Sequence, residues 1–178
     1  MPGQGLAMEF PYELPALDLA APFDRHRGAV RPEWIDGNGH MNVGYYVVAF
    51  DQATDTFCAQ LGVAWDYVAH GLGMVFVLEA HVTYERELKA GDPLRVTTQL
   101  LAHDDKRVHF FHRMYHGRDG YLASTNELLM MHIDFASRRA APWRAATRSR
   151  LAALEAVHGG LPPPAQTGRV IRIGRGPG

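Results

Sequence analysis

Between Val43 and Leu61 apolar side chains return every three or four positions, at Val43, Val47, Phe50, Thr54/Phe57, Cys58 and Leu61, while Asp51, Gln52, Asp55 and Gln60 fall elsewhere around the turn. That period predicts one long helix with a single buried stripe. Gly62, directly after the last apolar position, supplies its stop. Past the connection VAWDYVAHGLG the period changes, and four β-like runs follow at residues 74–87, 94–102, 108–116 and 121–135. AGDP and GRDG between them read as turns, and HDDK separates the middle pair. Upstream, residues 24–31 could hold a first short strand that Pro32 would end, and a C-terminal helix is expected from about Trp143 to Val157. The order β-α-β-β-β-β with a C-terminal helix is an α+β arrangement, an antiparallel sheet with the long helix packed on one face.

The rest of the composition narrows the class without naming a chemistry. A chain of 178 residues with 47% apolar side chains can bury a sizeable core as one unit. Residues 1–21, Pro- and Ala-rich and without a clear period, read as an N-terminal extension, residues 22–158 as the domain, and the Gly-, Pro- and Arg-rich residues 159–178 as a mobile tail. A net charge of −1 and a pI near 6.8 offer no global footprint for nucleic acid or an anionic membrane. Cys58, the single cysteine, cannot form an internal disulfide. The opening MPGQGLAMEF lacks the basic-then-apolar pattern of a signal peptide, and apolar runs such as GLGMVFVLEA stop well short of a membrane span. The expectation is a cytoplasmic protein with no membrane and no nucleic-acid partner.

Candidate chemistry concentrates in IDGNGHMNVG, directly before the long helix. Asn42 suits an N-cap, and Gly39 allows a positive φ, so the chain can bend sharply into the helix. The first free N–H groups, including that of Val43, would then point outward with the positive end of the helix dipole behind them. Asp36 lies a few residues upstream in the same loop. A carboxylate beside an anion-stabilising amide is what acyl transfer needs, a base or nucleophile next to a preorganised donor for the developing charge. Asp-Gly-Asn-Gly is also simply turn-forming, and the loop read alone favours a plain turn and helix cap with no chemistry.

The stretch VRPEWIDGNGHMNVGYYVVAFDQATDTF resembles the opening of the hotdog-fold acyl-CoA thioesterases of the 4-hydroxybenzoyl-CoA thioesterase type, which carry a strand, then Asp-x-x-Gly-His-x-Asn, then a helix with an early tyrosine. EAHVTYERELKAGDPLRVTTQL and ELLMMHIDFASRRAAPW resemble their later strands, so the likeness runs over about residues 23–145. It implies a sheet wrapped around the helix, Asp36 as nucleophile or general base, the Val43 N–H as donor to the thioester carbonyl, and Gly39 and Asn42 shaping the turn. It also implies an acyl-CoA substrate, no cofactor, and protomers paired edge to edge as a homodimer or homotetramer with each site at the interface. His40 departs from members with an apolar residue there and reads as a neighbour hydrogen-bonded within the loop. The chain further resembles the thioesterases of bacterial carnitine and glycine betaine metabolism, with betainyl-CoA as implied substrate. A trimethylammonium group needs aromatic faces, for which Trp34, Tyr45, Tyr46, Trp65 and Tyr67 are candidates, with Glu79 as counter-charge.

Other polar positions carry less. Alternation in FVLEAHVTY puts Glu79, His81 and Thr83 on one face and Leu78, Ala80, Val82 and Tyr84 on the other, so Glu79 could be a pocket group or a surface one, as could Glu127. His109 should point opposite to His112 and His116, which argues against a metal site. Arg86, Lys89, Arg107 and Arg113 could meet coenzyme A phosphates or form a solvated edge. Two alternatives share the acyl-CoA ligand. A hotdog hydratase is disfavoured because its Asp/His spacing and proline are absent here, and a non-catalytic acyl-CoA-binding regulator because no DNA-binding helix pair is present.

Overall fold

The computed structural model describes residues 10–173. Its strands are β1 (Phe23–Ala29), β2 (Met74–Tyr84), β3 (Pro93–His103), β4 (Arg107–His116) and β5 (Leu122–Ile133), and its helices α1 (Val43–Leu61), α2 (Trp65–Ala69) and α3 (Ala145–His158). The strands form one antiparallel sheet in the order β1-β3-β4-β5-β2, so β1 and β2 are its edges. One face of the sheet curls around α1, the hotdog arrangement that the resemblance implies. Phe57, Cys58 and Leu61 of α1 pack there against Leu100, Phe110, Leu128 and Met130 from the three inner strands.

Local capping sets both ends of α1. The Asn42 side chain accepts from the Gly44 N–H, and Gly62 closes the other end at φ 80°, in the left-handed region. The buried face is rotated from the expected stripe in the first two turns. Val43 and Val47 are 56% and 45% exposed, while Tyr46, Ala49, Phe50 and Ala53 point inward. Tyr46 and Phe50 bring more apolar area to the core than the two valines could, and the helix turns that side to the sheet.

Three further elements depart from expectation. Pro32 opens a 3-10 turn, Pro32–Trp34, because its missing N–H costs nothing at a helical first position. The connection after α1 contains α2, and β2 ends at Tyr84, three residues early. At the termini, Phe10 joins the core and the Tyr12 hydroxyl donates to the Gly62 carbonyl, so the described part of the N-terminal extension is packed against the domain. The segment after α3, read as a mobile tail, is tied to the outer face of the sheet: the Gln99 side chain donates to the Pro162 carbonyl (3.2 Å) and the Gly168 N–H to Glu127 Oε2 (2.8 Å).

His112 sits fully buried between α1 and the sheet, with Nε2 3.0 Å from Thr54 Oγ1 and Nδ1 2.9 Å from Thr98 Oγ1. Burial pushes its pKa down to about 3, and His26 and His158 move the same way for the same reason. The unfolded chain therefore binds protons below about pH 6.5 that the folded chain refuses, and stability falls as pH drops from there toward 3. His112 alone should cost about 2 kcal/mol at pH 5 relative to pH 7. The depressed carboxylates, Asp24 and Asp104 among them, lose their contribution only below the ordinary aspartate range, so the window between pH 6.5 and 5 isolates the histidines. Urea midpoints at pH 7 and pH 5 measure the effect, and an unchanged midpoint would contradict it.

Candidate active site

The loop before α1 folds as a tight hairpin. The Gly39 N–H donates to the Asp36 carbonyl (3.0 Å), the Asp36 N–H to the His40 carbonyl (3.1 Å), and Ile35 bridges Met41. Gly39 takes φ 81°, as a turn closed by a left-handed bulge residue requires. A Cβ there would meet nothing within 4 Å, so glycine answers a conformational demand and not a spatial one. Asp is favoured at the first turn position, and Asp36 Oδ1 accepts from the Asn38 N–H at 2.8 Å. The turn reading of this loop is thus correct as far as Oδ1 goes. Oδ2 has no protein hydrogen bond among the described residues, and the side chain is 23% exposed.

Two backbone bonds fix where this carboxylate stands. The Asn42 N–H donates to the Trp34 carbonyl and the Met41 N–H to the Leu88 carbonyl, each at 2.8 Å, which pins the hairpin to the segment following β2. The outgoing hairpin strand runs straight into α1. Asn42 satisfies the Gly44 N–H with its side chain and the Tyr45 N–H with its carbonyl. Among the described residues the Val43 N–H has no acceptor, and it stands at the positive end of a 19-residue helix. Asp36, Gly39, Asn42 and Val43 therefore belong to one hairpin-to-helix junction: a partly exposed carboxylate with one oxygen free of protein hydrogen bonds, and an amide donor without an acceptor, among the described residues. His40 flanks it, its Nδ1 3.4 Å from the Met41 carbonyl and 3.9 Å from Asp36 Oδ1.

Aromatic rings surround the start of α1. Trp34 stacks on Tyr45 with centroids 5.6 Å apart and planes 13° from parallel. Tyr46, buried, meets Tyr84 edge to face at 5.3 Å, and the Tyr84 hydroxyl lies 3.4 Å from the Val43 carbonyl. Tyr84 is half exposed and is the site neighbour that sequence reasoning missed. Alternation places it on the face of Val82, but only the pairing register of β2 with β5 brings that face over the helix start.

Four sequence candidates lie elsewhere. Trp65, 75% exposed, and Tyr67, buried with its hydroxyl 2.7 Å from His132 Nε2, belong to α2 beyond the far end of α1, about 28 Å along the helix axis from Val43. Glu79 follows a bulge at Leu78 and pairs with Leu129, whereas the next residue, Ala80, pairs with the core residue Leu128. Its side chain accordingly faces outward, away from α1, and within one protomer neither Trp65 nor Glu79 reaches Asp36. Glu127 shares that outer face and is engaged by His109 Nε2 (2.8 Å) and the Gly168 N–H. His112 and His116 point inward, opposite to His109. Of the four cations considered, Arg86 covers Tyr121 at 3.8 Å, Lys89 pairs with Glu87, Arg107 with Asp104, and Arg113 reaches Gln99.

Comparison with known proteins identifies the family. The family profile described as "Thioesterase-like superfamily" matches residues 30–151. A betainyl-CoA thioesterase of Pseudomonas aeruginosa is 37% identical over 147 residues, covering 81% of this chain and 91% of that protein. An L-carnitine dehydrogenase/betainyl-CoA thioesterase of Ruegeria pomeroyi is 34% identical over 160 residues, covering 90% of this chain but only 32% of its own length, so the chain spans about a third of that relative. Among solved structures, a Staphylococcus aureus protein in complex with CoA superimposes with a TM-score of 0.78 at 31% identity, over 87% of this chain and 99% of that one.

Proposed function

The chain belongs to the thioesterase-like superfamily as a thioester hydrolase of the hotdog fold, and from that premise we propose that it cleaves a small acyl-CoA to the free acid and coenzyme A, with Asp36 and the Val43 N–H as its catalytic groups. The observation that supports this reading is the hairpin-to-helix junction, in which Asp36 keeps one oxygen free of protein hydrogen bonds and the Val43 N–H has no acceptor among the described residues. The thioester carbonyl oxygen docks on the Val43 N–H. Asp36 then either adds to the carbonyl carbon, expelling the thiolate and leaving an anhydride that water opens, or takes a proton from a water molecule that adds instead. Both routes break the C–S bond, form a C–O bond and consume one water, the thiolate collecting its proton from solvent. Both also place negative charge on the same oxygen, which explains why a helix N-terminus serves the site whichever route runs.

The acyl group we propose is betainyl, the substrate in the names of the two relatives. Tyr84, half exposed, lies beside the Val43 carbonyl against the buried Tyr46, and Tyr45, partly buried, stacks on Trp34. We further propose a homodimer paired along β2. That edge exposes Phe76, Val77 and Leu78 at 43%, 48% and 48%, and Val43, Val47 and Val48 of α1 are also exposed. A long apolar edge of this kind is stable when another strand covers it. The test of activity is a panel of acyl-CoAs with release of free thiol as readout. At least one small acyl-CoA should turn over with kcat/KM of about 10⁴ M⁻¹s⁻¹ or more, the usual enzymatic range. Absence of thiol release above background across short, branched, aryl and betainyl substrates would overturn it.

A further inference from the structure

The segment after α3 crosses the sheet on the side opposite α1. It touches β3 through Pro162 and Gln99, then β5 through Gly168 and Glu127, and reaches β2 where residues 167–172 and His81 line a cavity of about 640 Å³. Phe111, Gln99 and Thr125 face outward on the sheet yet are only 1%, 3% and 1% exposed, as a crossing segment accounts for. Up to Gly168 the segment is therefore a cover for its own sheet. Beyond Gly168 its character changes.

The sequence Arg169-Val170-Ile171-Arg172-Ile173 alternates cations with large apolar side chains, and Val170, Ile171 and Ile173 are 76%, 88% and 104% exposed. Three β-branched residues in a row of five suit an extended strand packed against something, not a solvated end. Arg169, Val170 and Ile171 face Glu79 and Leu129 of their own sheet across an open cavity of about 580 Å³, but at 76% and 88% exposure Val170 and Ile171 do not pack on that sheet, and the β2 edge is the nearest further surface they can cover. Charge points the same way. Eight of the sixteen arginines lie beyond residue 137, where Glu155 is the one acidic residue, whereas the outer face at β2 presents Glu79, exposed and without an ion pair among the described residues.

We infer that residues 169–173 are a strap that crosses the β2 seam and packs on the outer face of a second copy of this chain. This rests on the β2-paired dimer proposed above. A two-fold axis at the seam sets the two straps side by side in opposite directions, Val170, Ile171 and Ile173 shielding the seam and Arg172 meeting Glu79 of the partner subunit. Each subunit thereby covers backbone that β2 pairing alone would leave open to solvent on that face.

Two measurements test the strap. A chain ending at Gly168, which keeps the bond to Glu127, should retain the native circular dichroism spectrum and dissociate at a concentration at least about tenfold higher than the full chain in sedimentation equilibrium. In the full-length chain, Ile171→Cys carries the only accessible thiol, because Cys58 is buried, and a benzophenone maleimide placed there should give a covalent two-chain species on irradiation. A full-length dimer whose dissociation is unchanged by the truncation, or whose label crosslinks only within its own chain, overturns the strap and leaves β2 pairing standing. A full chain that is monomeric while hydrolysing substrate removes the dimer itself and the strap with it.

Discussion

Asp36→Asn should fold as the native protein does and lose acyl-CoA hydrolysis by about a hundredfold or more. Asparagine keeps the size of the side chain and an oxygen that can accept from the Asn38 N–H, so the turn from Asp36 to Gly39 and the hairpin behind it survive. What goes is the charge on the open oxygen, and with it both basicity and nucleophilicity. Because the Val43 donor and the aromatic surround are untouched, KM for an uncharged acyl-CoA such as 3,3-dimethylbutyryl-CoA should change little while kcat falls, the signature of a group that acts in the transition state. Asn42→Ala is the informative control. It removes the side-chain cap on Gly44, costs about 1 kcal/mol of stability, and leaves the carboxylate in place, so its loss of rate should be far smaller. Asp36→Asn activity within about threefold of the native enzyme would remove Asp36 from the mechanism.

How much of this was legible in the sequence depends on how local each feature is. Helix α1 could be bounded to the residue because Asn42 and Gly62 cap it with their own side chain and backbone. The turn at Asp36 and Gly39 and the free Val43 N–H were legible for the same reason, since one hairpin and one cap form them. Features that depend on a second element were not. Which side of α1 is buried in its first turns was decided by Tyr46 and Phe50 against the sheet. Glu79 points away from α1 because a bulge at Leu78 and pairing with β5 set its face, and neither the bulge nor the side covered by the helix is written in the alternation. Tyr84 lies at the start of α1 and Trp65 beyond its far end on the same ground. An aromatic residue is visible in the sequence, but the end of the helix it attends is a tertiary fact.

Betainyl-CoA should be preferred over 3,3-dimethylbutyryl-CoA by about tenfold or more in kcat/KM, once each is corrected for its uncatalysed hydrolysis. The two acyl groups have nearly the same shape, a quaternary nitrogen in one replaced by a quaternary carbon in the other, so packing alone cannot separate them. The correction matters because the ammonium, one methylene from the carbonyl carbon, activates the thioester in water as well. Its cation cannot donate ordinary hydrogen bonds and must be held by ring faces and by charge, each well-placed ring contributing about 0.5 to 2 kcal/mol. Glu79 lies on the outer face of its own protomer, which leaves Asp36 as the carboxylate beside the bound cation, as any group poised at the carbonyl carbon must be. Of the rings around the start of α1, Trp34 and Tyr46 are buried and serve mainly to hold Tyr45 and Tyr84 in place. Tyr84, half exposed beside the Val43 carbonyl, is the ring best placed to lie on the ammonium. Tyr84→Leu keeps an apolar side chain there and removes the π-face, so it should cut the betainyl rate while leaving 3,3-dimethylbutyryl-CoA nearly unaffected. The preference should then fall to about threefold or less, the loss of one such contact. Equal rates for the two substrates in the native enzyme would leave the thioester hydrolase standing and remove the betaine. A native preference that Tyr84→Leu does not reduce would keep the betaine and assign the cation to a different surface.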